Sequence, residues 1–270
     1  MAILIHIGLT KTGTSWFQQE IFPFVDSGKY LGKRGFNKPI STFADEVPAA
    51  SLKTPADYVR LINSVVKDDE DESIRLISDE VLYGYGMQEL ISAFSEVDTK
   101  VGILITVRNQ RDWILSRHNN NVIPKFKRWA ENKRFLNTVL IDNEFMDSVT
   151  NAVSSGDVDD LLYGYIDYNS VVLRLAEHFP VYVLPFESVL LDAESSLGML
   201  EEFLSENFDD KLGFDIERAN RMVKKPVNKS IHSESFSSKA AQDAVVKRFA
   251  DTNKKLAELI GVDLGAYGYY

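Results

Sequence analysis

Four short apolar runs punctuate the chain, at residues 2–7 (AILIHI), 74–78 (IRLIS), 101–107 (VGILITV) and 181–186 (VYVLPF). Each is short, mostly rich in β-branched residues and bounded by turn formers or polar residues, which predicts a buried strand. Between them the apolar positions recur at helical spacing. Residues 15–22 read as a helix that Pro23 should end. Over 55–66 the residues Tyr58, Leu61, Ile62, Val65 and Val66 share one helical face. Further helices are expected at 87–94, at 112–121, within 125–147, and at 171–178 before Pro180. Two late ones fall at 193–203 and 239–259, the latter with Val245, Phe249, Leu256 and Ile260 roughly on one side. Strands alternating with helices predict an α/β fold, a central parallel sheet flanked by helices.

No internal repeat is present. The acidic run at 67–72 (KDDEDE) reads as a solvated loop before the second strand. The small, polar stretch 151–160 reads as a surface loop. Neither marks a domain boundary, so residues 1–270 are expected to form a single domain. The closing residues, GAYGYY, suggest no chemistry of their own.

Composition narrows the chemistry. Apolar residues make up 44% and charged residues 26%, ordinary for a soluble globular protein. The formal charge of −10 argues against nucleic-acid binding through the overall field, while leaving room for a local basic pocket. Cysteine is absent, which excludes disulfides, thiolate catalysis and Cys-ligated metal centres. The first apolar run is too short for a secretory leader, and no run approaches the roughly 20 residues that cross a bilayer. A cytoplasmic protein without a membrane span is the expectation.

The sharpest signal follows the first strand: Gly8-Leu9-Thr10-Lys11-Thr12-Gly13-Thr14-Ser15. A glycine-bearing loop between a strand and a helix N-terminus aims several N–H groups at one point, and the helix dipole adds to them. Lys11 contributes a full positive charge; Thr12, Thr14 and Ser15 contribute hydroxyls. The glycine spacing fits the nucleotide triphosphate loop G-x-x-x-x-G-K-[ST], but Thr14 stands where that loop has lysine. The cation has moved into the loop, as Lys11, which argues for a shorter and differently charged donor.

Lys11-Thr12-Gly13-Thr14-Ser15-Trp16 resembles the loop of sulfotransferases that use 3′-phosphoadenosine 5′-phosphosulfate (PAPS). The frame from His6 to Thr14 is especially similar to bacterial members. The resemblance implies a P-loop NTPase-like sulfotransferase fold in which Lys11, Thr12, Gly13, Thr14 and Ser15 hold the 5′-phosphosulfate, with 3′,5′-ADP as product. Trp16 is expected to pack beneath the loop, and His6 to pack or hydrogen-bond under it.

The third run ends in Arg108, at the strand rim where open α/β sheets bind ligands. Ser116 follows eight residues on, about two turns into the next helix. An arginine and a hydroxyl on one phosphate make a reasonable clamp, and their spacing matches the family's 3′-phosphate motif. Glu187, after the fourth strand, resembles a structural position of the family. Asn228-Lys229-Ser230 resembles its late closing loop, making Lys229 either a further phosphate contact or part of a solvated basic loop.

Sulfuryl transfer needs a base for the acceptor hydroxyl and positive charge at the leaving oxygen. The transferred group is less negative than a phosphoryl group, so no metal is required in this reading. The second strand ends in Ser78-Asp79-Glu80, whose carboxylates would face the rim. Glu80 is the first choice of base, Asp79 the second and His118 the reserve; the alternative is that the acidic pair caps a turn. The four histidines show no metal-ligand spacing. Aromatic and basic residues at 125–134 and 29–34 are candidate acceptor lips or simply solvated faces. The acceptor could be a carbohydrate or a small molecule, and neither it nor the oligomeric state is written in these motifs. Two rival readings stand beside this one: a P-loop kinase, and a silent nucleotide-binding module with a protein partner.

Overall fold

The computed structural model describes residues 1–9, 11–26, 29–32, 56–57, 59–60, 62–63, 73–79, 83, 87–122, 143–156, 166–224 and 236–270. Five strands form one sheet: β1 (Ala2–Gly8), β2 (Tyr30–Gly32), β3 (Ile74–Ser78), β4 (Lys100–Val107) and β5 (Val181–Pro185), in the order β2-β3-β1-β4-β5. β1 runs parallel to both neighbours, with His6 opposite Ser78 on β3 and Gly8 opposite Thr106 on β4. Every residue of β1 and β3 is buried, as expected of a parallel sheet covered on both faces. From β1 the chain passes to the edge strand β2, returns inward to β3 beside β1, then crosses to the other side for β4 and β5. The carboxyl end of β1 is therefore the topological switch point, where open α/β sheets take their ligands.

The helices whose bounds fall among the described residues are α1 (Thr14–Trp16), α2 (Met87–Phe94), α3 (Gln110–Val122), α4 (Asn143–Ser154), α5 (Tyr168–Ala176), α6 (Phe186–Leu191), α7 (Ala193–Phe208), α8 (Ile216–Val223) and α9 (Lys239–Ile260). The described residues group into two compact units. One comprises Met1–Thr106 with Val172–Val227; the other comprises Val107–Val171 with Asn228–Tyr270.

In the first unit the core joins sheet residues Leu4, Leu76, Leu104 and Leu184 to Phe17, Phe22, Leu197, Leu200 and Leu204. Burying each such side chain stabilises the unit by about 1.5–3 kcal/mol. Asp192 caps α7 by accepting from the Ser195 N–H at 3.0 Å, and Asp215 caps α8 through the Arg218 N–H at 2.8 Å. In the second unit α9 begins at Ser238, whose hydroxyl accepts from the Ala241 N–H, and stops at Gly261 in the left-handed region. Its buried stripe is Val245, Phe249, Asn253 and Leu256, a helical face carrying one polar residue.

The four expected strands are present, within a residue or two at their ends, and the fold is the α/β architecture read from the chain. Several details differ. The helical run from Thr14 does not stop at Pro23. It passes into a π-helix (Phe17–Ile21) and then a 3-10 turn (Phe22–Phe24) that holds the proline at its second position, where no intrahelical N–H is needed. Residues 151–154, read as loop, are the last turn of α4, because Val149, Ala152 and Val153 supply a buried face. Residues 30–32, a candidate acceptor lip, form edge strand β2, and Lys29 is bound to Asp210 at 2.9 Å. The short helices α6 and α8 were not anticipated. The acidic run at 67–72, the basic cluster at 125–134 and most of the helix at 55–66 lie outside the described residues.

Candidate active site

The loop after β1 is built from backbone conformations that few residues tolerate. Lys11 has φ 76° and Gly13 has φ 89°. The left-handed region costs a lysine about 1–2 kcal/mol, and strain of this kind concentrates at functional sites. Gly13 is required twice over. Its φ suits glycine, and a Cβ there would lie 2.3 Å from the Phe186 ring, which fills the space beneath it. Gly8 is equally constrained: a Cβ would meet Thr106 Oγ1 at 2.3 Å. The loop then enters the helix with the Trp16 and Phe17 N–H groups bonded to the Gly13 carbonyl. The N–H groups of Gly13 and Thr14 have no acceptor among the described residues, as expected at a helix start. Lys11 is half-buried, Thr12 and Thr14 are buried, and Ser15 is exposed.

A chain of polar side chains runs beneath this loop. Thr12 Oγ1 donates to the Leu9 carbonyl at 2.7 Å and lies 3.2 Å from Thr106 Oγ1. Thr106 Oγ1 is 3.2 Å from His6 Nε2. His6 Nδ1 is 2.7 Å from Ser78 Oγ, which also accepts from Gln18 Nε2 at 2.7 Å. One direction of donation satisfies every link. Gln18 donates to Ser78, Ser78 to His6 Nδ1, His6 Nε2–H to Thr106, Thr106 to Thr12, and Thr12 to Leu9. The tautomer with its proton on Nε2 is assigned from this network. All five side chains are buried. Buried polar groups of this kind rigidify a site when every member is paired, and breaking one link strands its neighbours.

The network ends at the carboxyl end of β3. Asp79 is buried, and its N–H bonds the His6 carbonyl at 3.1 Å. The Tyr30 phenol is pushed well above its ordinary range, first by burial and then by the negative charge of Asp79, so it stays protonated. Its hydroxyl, like Gln18 Oε1, is buried without a partner among the described residues. Glu80, the first choice of base, and Lys229 lie outside the described residues.

In the second unit Arg108 follows β4 directly, and its carbonyl accepts from the Tyr168 hydroxyl at 2.9 Å. Asn109 caps α3: its Oδ1 accepts from the Asp112 N–H at 2.9 Å. Ser116 sits half-buried on α3 and His118 buried on the same helix. The structure thus groups Lys11, Thr12, Gly13, Thr14 and Ser15 with the end of β3, and places Arg108, Ser116 and His118 together on one strand-to-helix segment. Among the described residues no cluster of His, Asp and Glu could hold a metal ion, and no helix is long and apolar enough to cross a membrane.

Trp16 packs against Phe17 and Phe186, as its place in the motif suggested. The residues that sequence reasoning passed over are Gln18, Ser78, Thr106 and Phe186. Ser78 and Thr106 left a readable trace, since a polar residue near the end of an otherwise apolar strand needs a buried partner. Phe186 left none, because its role depends on a contact between distant segments.

A parallel sheet whose switch-point strand feeds a strained, lysine-bearing loop and a helix start has the architecture of the phosphate-loop type. Residues 3–255 match the sulfotransferase domain, and the chain belongs to that family, whose enzymes transfer sulfuryl groups. No curated protein matches the chain closely enough to name a relative.

Proposed function

We propose that this enzyme transfers a sulfuryl group from PAPS to a hydroxyl group of a carbohydrate or small molecule, with an amine as the second choice of acceptor. The observation that carries the reading is Lys11 held at φ 76° between Gly8 and Gly13 at the switch point of the sheet. The site fits the 5′ end of such a donor. Gly8 and Gly13 keep the backbone free of side chains, Thr12, Thr14 and Ser15 offer hydroxyls, and the helix start offers N–H groups.

In this reading the acceptor oxygen forms a bond to sulfur while the bond from sulfur to the bridging phosphate oxygen breaks with its electron pair. Glu80 takes the acceptor proton. Lys11 and the helix N-terminus neutralise the charge that develops on the departing oxygen. The products are a sulfate ester and 3′,5′-ADP. Arg108 and Ser116 hold the 3′-phosphate, and Lys229 adds a cation to it. The burial of Asp79 beside the Tyr30 phenol favours a supporting role for it and leaves Glu80 the base. His118 is the reserve.

Thermal shift with 3′,5′-ADP, with ADP and with ATP–Mg²⁺ tests the donor, because a ligand that binds the native state raises apparent stability. Stabilisation by 3′,5′-ADP that is lost in Lys11→Ala is expected. A preference for ATP–Mg²⁺ would replace this reading with a kinase. Binding without sulfuryl transfer to any acceptor class, together with an unchanged Glu80→Gln variant, would replace it with a silent module.

A further inference from the structure

The closing residues of the sequence are built into the segment that carries Arg108. Three consecutive residues after β4 are each held by a different partner in the second unit. The Arg108 carbonyl accepts from Tyr168. Asn109, buried, donates from Nδ2 to the Tyr267 carbonyl at 3.3 Å and to Asp112 Oδ2 at 3.2 Å, while its Oδ1 caps α3. Gln110, also buried, donates from Nε2 to the Ile166 carbonyl at 3.0 Å and to Asn253 Oδ1 at 3.1 Å. Asn253 Nδ2 returns a bond of 2.9 Å to Gln110 Oε1 and donates at 2.9 Å to the Tyr269 carbonyl.

Two backbone carbonyls of the final turn, Tyr267 and Tyr269, therefore each take the second bond of a buried amide, Asn109 Nδ2 and Asn253 Nδ2, whose other bonds go to Asp112 and Gln110. The turn is itself well formed. It is a 3-10 turn (Leu264–Tyr267) capped by Asp263 and closed by Gly268 in the left-handed region, with Tyr269 buried behind it. Gly268 also lies beside the Arg111 guanidinium, close enough that a Cβ would touch it at 3.7 Å. A buried polar network of this kind is costly unless its members are paired, and once paired it rigidifies what it joins.

We propose that the segment Leu264–Tyr270, through Asn253 and Asn109, is a positioning element for the 3′-phosphate clamp: it fixes the first turn of α3 and with it the direction in which the Arg108 side chain leaves the strand end. The inference rests on the reading that Arg108 holds the 3′-phosphate. Tyr267 and Tyr269 touch no ligand in it; they act through the cap.

The test compares binding of 3′,5′-ADP with binding of 5′-AMP, which lacks the 3′-phosphate, by calorimetry on the folded chain. Deleting Tyr269 and Tyr270 should weaken 3′,5′-ADP about ten-fold, the order expected when a buried amide loses its acceptor, and 5′-AMP less than about two-fold. Asn109→Ser keeps a good helix cap but cannot reach Tyr267, so it should give a smaller selective loss even if the deletion variant fails to fold. In an Arg108→Ala background neither change should weaken 3′,5′-ADP further. Equal losses for the two nucleotides, or losses that add to that of Arg108→Ala, overturn the positioning role. If Arg108→Ala itself leaves the preference for 3′,5′-ADP intact, the clamp reading falls and takes this inference with it. If Arg108→Ala removes the preference but Asn109→Ser and the deletion do not, this inference falls alone.

Discussion

The loop after β1 and the segment after β4 answer the same structural demand by different means. Each must turn a chain from a parallel strand into a helix. The β1 loop does so with backbone strain: Lys11 and Gly13 both take positive φ, and small residues let the strands close beneath them. The β4 segment uses ordinary backbone and a side-chain cap, Asn109, braced by carbonyls from elsewhere in its unit. The first is held by hydroxyls and an imidazole strung across three strands; the second is held by amides. A strained loop keeps its cation in one place but needs a rigid floor. A capped segment tolerates substitution at the cap as long as the replacement still accepts the helix N–H. The difference teaches that a strand-to-helix turn can be made stiff from within or from outside.

Substitutions separate these two solutions. The largest effect is expected at Lys11. Lys11→Gly preserves the left-handed backbone and removes the charge, so sulfuryl transfer should fall about 10²–10³-fold while the melting temperature stays level or rises. A stability loss matching the loss of rate would show that the side chain, and not the backbone, holds the loop. Next comes Gly13→Ala, which forces a Cβ into the Phe186 ring and a positive φ on alanine. It should cost about 2–4 kcal/mol in denaturant unfolding, and Phe186→Leu should restore part of it by clearing the floor. Should Gly13→Ala unfold with wild-type stability, the loop is not rigid.

Thr106→Val tests the network. It removes the hydroxyl between His6 and Thr12 and should destabilise the chain by about 1–3 kcal/mol. An unchanged unfolding midpoint would show that the network contributes nothing. At the other segment, Asn109→Ala should cost about 1 kcal/mol for the lost cap, with Asn109→Ser close to wild type in stability. Equal losses for the two would mean that the cap is not what the residue supplies.

The smallest effect is expected at Asp210, at the end of β3 opposite the site. Burial pulls its pKa upward, but the N–H of Ile74, the Lys29 ammonium and the N–H of Lys211 outweigh that and hold the carboxyl below its ordinary 3.8. A folded pKa below the unfolded one stabilises above the unfolded value and fades as pH falls through the folded one. Asp210→Asn should therefore cost about 0.5 kcal/mol at pH 7, since solvent screens the partly exposed pair, and the gap in melting temperature should close below pH 4, when the wild-type carboxyl takes up its proton. A gap that persists in acid would point to a shape effect instead of charge.

The residues themselves determined a good deal. The short apolar runs at 2–7, 74–78, 101–107 and 181–186, bounded by turn formers or polar residues, pointed to buried strands. Gly8, Lys11 and Gly13 between strand and helix marked a glycine-bearing turn at the carboxyl end of the first strand, whose positive φ values at Lys11 and Gly13 the structure then showed. The end of β3 was legible only as a place where carboxylates gather. The edge strand at Tyr30–Gly32 and the helix at Ile216–Val223 were not legible, since three residues carry no period and the helix draws its stability from neighbours.

Tertiary structure alone decided that His6 joins Ser78 to Thr106, that Phe186 forms the floor under Gly13, and that Tyr267 and Tyr269 satisfy Asn109 and Asn253. The physical reason is common to all three. A buried polar atom or a missing Cβ is defined by what lies opposite it, 72 to 158 residues away for His6 and Asn109, and local sequence carries no record of so distant a partner.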